Sequence, residues 1–575
     1  MNHRMPAAAL LALSIPAFAA PLGFGADAPA DKPASPPPPA LFETLAKGNA
    51  VDACVLATLK EKGIPPSERC TDEVFLRRVF LDAIGTLPTP AEARAFLADR
   101  SPDKRTRLID SLLARDEFAD TWGLKWGDLL RVKSEFPSNL WPNAVQAYDR
   151  WIRDALRQGV PYDRFVRELL TATGSNFRVP PVNFYRAFQD RAPRPIAENV
   201  ALLFMGVRLA DAGLTEEQIL GLSACFAKIG YKSTDEWKEE IVFFNPEGKL
   251  ADPKTGKPVR PAPPGGKPFD LRPDQDPRVP LAAWLTSKEN PWFARAIANR
   301  VWFWLLGRGV VHEPDDLKPS NPPWSPALLA ALEKEVVDGG FDLKRLYRLI
   351  LASETYQLAS KPNAWNAADE TGFSRYRIRR LDAEALLDAI NQITGSGEKY
   401  TSPIPEPFTF LPGDQRAITI ADGSIEAPFL ELFGRPPRNT SFESERTSAP
   451  SVFQAQHLLN SSHIQKKIEL SKPLQQIAAG AAQQRAPDAR GARAGAAGGR
   501  QRPAAAVEAK PAAGGTPEAA RPIEELYLRI LSRFPTDEER RAALAYVSSF
   551  KRKPLESFYD IVWALLNSKE FLLRH

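Results

Sequence analysis

From Leu41 onward the apolar positions of the chain recur at spacings of three and four, the period of an amphipathic helix. In "TDEVFLRRVFLDAIG" (71–85), Val74, Phe75, Val79 and the run Leu81 to Ile84 predict a helix with a wide buried face. Helix starts are marked by side-chain chemistry. Thr89-Pro90-Ala91-Glu92 puts a hydroxyl at the N-cap, proline at the first helical position and a carboxylate at the third, which is a capping box. Ser101-Pro102 and Ser325-Pro326 repeat the cap-then-proline start, and Thr215 with Gln218 and Thr536 with Glu539 repeat the box. Asn290-Pro291 opens a helix in which Phe293, Ile297, Val301 and Trp304 share a face. "PALLAALEKEVVDGGFDLKRLYRLILASETYQLAS" predicts a helix, a Gly-Gly stop and a second helix. Trp122, Trp126, Tyr148 and Trp151 fall on such faces and read as core.

Three stretches break the period. Around 239–280, "EIVFFNPEGKLADPKTGKPVRPAPPGG" predicts a small hairpin and then a Pro- and Gly-rich crossing loop. "QRAITIADG" (415–423) alternates and predicts a short strand. Residues 471–522 are rich in Ala, Gly and Arg with almost nothing to bury, and read as a disordered insert. The expected architecture is mainly α: helical domains over 41–238 and 281–470, the hairpin and loop between them, and C-terminal helices over 523–575 packing on the second domain. Ahead of the body lies a Pro/Ala-rich tether (20–40), preceded by His3, Arg4, an apolar run and Ala17-Phe18-Ala19, the order of a secretory signal over residues 1–19. A secreted or periplasmic protein is therefore expected.

Composition narrows the partners. Of 575 residues 43% are hydrophobic and 25% charged, as in an ordinary globular protein, and 75 Lys plus Arg against 70 Asp plus Glu leave a net charge of +5. That excess is too small for the chain's size to imply a polyanion, so no nucleic acid partner is expected. No later run approaches 18 apolar residues, so no membrane span is expected. In an oxidising compartment Cys54 and Cys70 could close a short loop, stabilising by roughly 2–3 kcal/mol, or remain two buried thiols. Cys225 in "GLSACFAKIG" packs as a small apolar residue.

The densest polar constellation is "GRPPRNTSFESERTSAPSVFQ", with Arg435, Arg438, Glu443, Glu445 and Arg446. Two uses of it stay open. Glu443 or Glu445 could be the acid or base of a glycan hydrolase with Arg446 orienting it, or the charges could tie a loop to helix ends. His312, Glu313, Asp315 and Asp316 stand together beside Trp324, but not at calcium-loop spacing, and Asp315 or Asp316 reads as a cap. His457 and His463 are six apart and would fall on different faces of one helix. "TGSGE" is a weak match to a nucleophile turn, and there is no phosphate loop.

"FLRRVFLDAIGTLPTPAEARAFLAD" and "PYDRFVRELLTATGSNFRVPPVNFYRA" resemble the first of two linked domains common in secreted proteins of planctomycete-type bacteria. "LAAWLTSKENPWFARAIANRVWFWLLGRGVVHEPDDL", "FDLKRLYRLILASETYQLAS", "RRLDAEALLDAI" and "WALLNSKEFLLRH" resemble the second. These are the domains of unknown function numbered fifteen-forty-nine and fifteen-fifty-three. The resemblance implies secretion, a helical two-domain body and, in many members, an associated c-type cytochrome domain.

Many such relatives carry Cys-x-x-Cys-His directly after a "GVRL" like Gly206 to Leu209. That spacing attaches a haem covalently and supplies an axial ligand. Here Leu209 runs through Ala210-Asp211-Ala212-Gly213 to Leu214 and Thr215, with neither thiol nor imidazole. No cofactor and no metal are expected. The chain reads first as a secreted helical scaffold or binding protein with an unknown protein or polysaccharide partner. The alternatives are an extracytoplasmic glycan hydrolase using Glu443 or Glu445, and an accessory subunit of a redox assembly.

Overall fold

The computed structural model describes residues 36–483, 520–549 and 554–575; the expected signal segment, the tether up to residue 35 and the stretch 484–519 lie outside the described residues. The body is mainly helical, with two small antiparallel sheets. The starts at Thr89, Thr215 and Thr536 form as reciprocal capping boxes: the Thr89 hydroxyl accepts from the Glu92 N–H while the Glu92 carboxylate accepts from the Thr89 N–H at 2.8 Å. Ser325 caps Pro326–Asp338 by accepting from the Leu328 N–H.

Two starts are displaced. At Ser101-Pro102 the Asp99 carboxylate takes both the N–H and the hydroxyl of Ser101, at 2.8 and 2.6 Å, so these residues form a turn and the helix begins at Lys104. Asn290 acts three residues ahead of its helix, accepting from the N–H groups of Trp292 and Phe293 at 3.0 Å before Phe293–Leu306.

The strand expectations need correction. A three-stranded antiparallel sheet forms from β1 (Gly174–Ser175), β2 (Ile229–Ser233) and β3 (Glu240–Phe244), with β3 in the centre. The hairpin therefore starts within the first domain. Its turn is closed by Glu239, which accepts from the hydroxyls of Thr234 at 2.7 Å and Ser175 at 2.5 Å, and Asn245 to Gly248 makes the turn that follows β3. The stretch 415–423 is not a strand but a single 3-10 turn, Ala417–Thr419. The buried Asp388 carboxylate takes the N–H groups of Ala417 and Ile418 at 2.7 and 3.0 Å, the donors a strand would offer to a neighbour.

All three cysteines are free thiols, so Cys54 and Cys70 are not bridged. Cys54 lies half-buried on Ala50–Lys62, whereas Cys70 is buried with its N–H held by the Gln357 carbonyl at 2.8 Å. Cys225 is buried, as its surroundings suggested.

Trp122, Trp126 and Tyr148 are buried in the first hydrophobic core and Trp151 packs against it. That core runs from Phe42 to Tyr376, taking in the helices Arg278–Leu285, Phe293–Leu306, Pro326–Asp338 and Leu343–Leu351, with Ala421 and Leu528 reaching into it. The second core runs from Leu381 to Phe571, with Leu81 and Leu87 reaching into it. Packing thus divides the chain between Tyr376 and Leu381 rather than in the crossing loop. Helix Lys472–Gln483 extends the ordered body into the segment expected to be an insert, and Arg521–Leu531 and Pro554–Leu566 pack against it.

Candidate functional site

The polar loop 434–447 lies where these two cores meet. Its charges find partners in helices distant along the chain. The Arg446 side chain is 8% exposed and binds two carboxylates, Asp128 from helix Asp116–Leu129 at 2.7 Å and Glu384 from Ala383–Thr394 at 2.7 and 3.0 Å. Arg438 shares Asp128 at 2.9 Å and donates to the Val132 and Ala421 carbonyls. Burial raises the Asp128 carboxyl, but Arg446 and Arg438 outweigh it and hold the group below its ordinary value.

The network continues on the other side of the seam. Asp382 meets Lys125 at 3.2 Å and Arg574 at 3.0 Å, and these cations with Arg446 hold it well below the carboxylate range against its burial. Arg574 also meets Asp82 at 3.1 Å, and Asp82 accepts from the hydroxyls of Tyr356 and Tyr376 at 2.8 Å. Arg77 and Arg78, on the same helix as Asp82, donate to the carbonyls of Ile530, Phe571 and His575. None of Asp82, Asp128 and Glu384 was a candidate from sequence. The available signal was a charge set inside an apolar helix face, as in "VFLDAI", "GDLL" and "AEALL".

Glu443 occupies a different environment. Its side chain is buried; Oε1 accepts from the Trp304 indole N–H at 2.7 Å and Oε2 stands 3.8 Å from Arg300 Nε, both atoms of that last pair lacking a hydrogen-bond partner. Arg300 binds Asp315 at 2.7 Å and the Leu203 carbonyl at 2.6 Å, and the Glu443 N–H donates to Asp315 at 2.8 Å. Asp315 is therefore the counter-ion of a buried arginine, not a cap. Burial is the main force pushing the Glu443 carboxyl up to about 7, reinforced by Asp315 and opposed by Arg300.

Glu445 is half-exposed and accepts from the N–H groups of Asn439 and Thr440 at 3.1 and 3.0 Å. Glu443, Glu445 and Arg446 thus serve three separate sets of partners. Arg435 donates to the Ile425 carbonyl at 2.5 Å.

The histidine expectation is corrected by a break in the helix. Val452–Asn460 ends before Ser461, whose hydroxyl caps Ser462–Glu469, and the bend brings the rings of His457 and His463 to 5.9 Å. His463 Nε2 meets Glu398 at 2.8 Å. Among the described residues no group of three or more His, Cys, Asp or Glu is arranged to hold a metal.

Residues 206–214 lie beside the Glu443 loop: Arg208 stacks over Phe442 at 5.0 Å, and the Gly206 carbonyl accepts from the Leu317 N–H at 2.8 Å. A solvent-open cleft of about 290 Å³ is lined by Lys133, Glu135, Phe136, Ser424 and Glu426 together with Arg435 at the start of the polar loop.

These features define a mainly helical two-part protein whose halves are joined by a buried ionic seam. Residues 50–211 match the model described as Protein of unknown function (DUF1549), and residues 277–547 match the one described as Protein of unknown function (DUF1553). The chain belongs to the two-domain planctomycete-type family that these models describe. No curated protein and no solved structure matches it. The family models divide the chain at the crossing loop, whereas the cores divide it after Tyr376.

Proposed function

We propose that this chain is an extracytoplasmic scaffold that binds a partner rather than an enzyme acting through the 434–447 loop. The observation that carries the proposal is the use of that loop: Arg446 joins Asp128 to Glu384 across the seam, and Glu443 is enclosed by Trp304, Arg300 and Asp315. Groups fixed by such contacts hold two bodies in one orientation, which is what a scaffold requires. The signal-like pattern ending at Ala17-Phe18-Ala19 supports work outside the cytoplasm.

A hydrolase is favoured by one observation, the Glu443 carboxyl near 7, the range of a general acid at neutral pH. It needs a second carboxylate across the scissile bond and a path for substrate. The test is a glycan array and reducing-sugar assay on the chain beginning at Ala20, beside Glu443→Gln and Glu445→Gln. Binding kept by both variants, with no sugar released by any form, is the expected result. Release of sugar that disappears in Glu443→Gln would overturn the scaffold.

A further inference from the structure

We infer that the cleft between residues 133–141 and 402–437 binds a neutral polysaccharide chain, with the rings of Trp141, Trp237 and Phe408 as its stacking platform; this rests on the binding-scaffold reading and names its ligand. The three rings come from three distant segments: the loop before helix Pro142–Gln158, the turn between β2 and β3, and the loop after Ile404. Their centroids lie 4.6 Å (Trp141 to Trp237), 5.1 Å (Trp237 to Phe408) and 5.6 Å (Trp141 to Phe408) apart. Trp237 is 56% and Phe408 41% exposed, and Phe136 in the cleft wall is 65% exposed. Large rings gathered at a surface mark a binding site more often than rings scattered singly.

The platform and the cleft share their loops. The Trp141 N–H donates to the Ser134 carbonyl at 3.2 Å, which ties the backbone at Trp141 to the loop that carries the cleft residues Lys133 and Glu135. The Phe408 N–H donates to the Pro405 carbonyl at 3.1 Å, two residues from Pro403 in the cleft wall. Mutual packing and the Lys238 ammonium, 5.1 and 5.6 Å from the two indole rings, order the platform before any ligand arrives.

A pyranose offers a flat face of C–H groups, matched to the negative face of an aromatic ring, and an edge of hydroxyls that need donors and acceptors. Rings at the rim and carboxylates in the wall provide both. The wall also argues against a polyanion. Its carboxylates Glu135, Glu426 and Glu431 outnumber its cations, and those cations are engaged: Lys133 donates to the Pro437 carbonyl and Asn439, and Arg435 to the Ile425 carbonyl. The cleft volume falls just below the range of enclosed ligand sites (~300–1,000 Å³) and it is open, which suits a chain lying across it.

The test is affinity electrophoresis of the chain in gels containing hydroxyethyl cellulose, galactomannan, arabinoxylan, laminarin or dextran sulfate. Trp237→Ala, Phe408→Ala and, as control, Phe453→Ala run beside it, each checked by thermal melting. Retardation by a neutral polysaccharide, weakened about tenfold by each of the first two variants and not by the control, is expected. Three results would each overturn the inference: no retardation by any neutral polymer, retardation that both ring variants keep, or stronger retardation by dextran sulfate. A protein partner held equally by wild type and Trp237→Ala would leave the scaffold standing without the glycan. Sugar release lost in Glu443→Gln would remove the scaffold itself.

Discussion

Replacing Glu443 by glutamine keeps the side chain's shape and removes one titrating proton from the seam. In the folded chain this carboxyl holds its proton up to about 7, whereas in the unfolded chain it releases it at its ordinary 4.5. Between those values the unfolded state binds fewer protons, so raising the pH favours unfolding. The stabilisation is complete below 4.5 and is lost as pH rises through about 7. At 1.36 kcal/mol per pH unit the loss amounts to about 3 kcal/mol. Urea unfolding of wild type and Glu443→Gln, followed by circular dichroism from pH 4 to pH 8, isolates this group because the other titrations are common to both. The two should agree near pH 4, and the glutamine form should be the more stable by about 3 kcal/mol near pH 8. Parallel stability curves would show that Glu443 titrates as in water and would refute its enclosure by Trp304 and Arg300.

Other outcomes follow from the same contacts. Arg446→Leu strands the buried Glu384 and leaves Asp128 with Arg438 alone, and should cost about 3–5 kcal/mol in urea unfolding; adding Glu384→Leu should recover part of that, and a single variant as stable as wild type would contradict the seam. With three free thiols, Ellman's reagent should find three in denaturant, and the half-buried Cys54 should react first in the native protein. One thiol in denaturant would instead reveal a Cys54–Cys70 bridge. Thr89→Ala should cost about 1 kcal/mol in the same unfolding assay by removing a cap, and no measurable loss would show that the capping box does not stabilise the helix.

The helices were legible because their signals are local. A hydroxyl and a carboxylate three residues apart make the same bonds in nearly any context, as at Thr89, Thr215 and Thr536. Ser101-Pro102 failed because Asp99, two residues upstream, competes for the same donors. The 415–423 alternation became a turn because Asp388, beyond any local window, takes its N–H groups. The seam was illegible for the same reason on a larger scale: Arg438 and Asp128 are 310 residues apart, and Arg574 and Asp82 are 492 apart. Sequence singled out Glu443, Glu445 and Arg446 as one polar constellation, but not which distant acids Arg446 would meet.

The bonds from Arg77 and Arg78 to the carbonyls of Ile530, Phe571 and His575 bear on the timing of folding. A ribosome delivers helix Asp72–Ile84 long before it delivers residues 571–575. Until then Arg77 lacks its carbonyl partners, and burying its guanidinium uncompensated is costly, whereas Arg78 and Asp82 can already meet Tyr356, Leu358 and Tyr376. That face of the helix is therefore completed only when the last residues have been made. Completion of that face and docking of the last helices become one late event in folding.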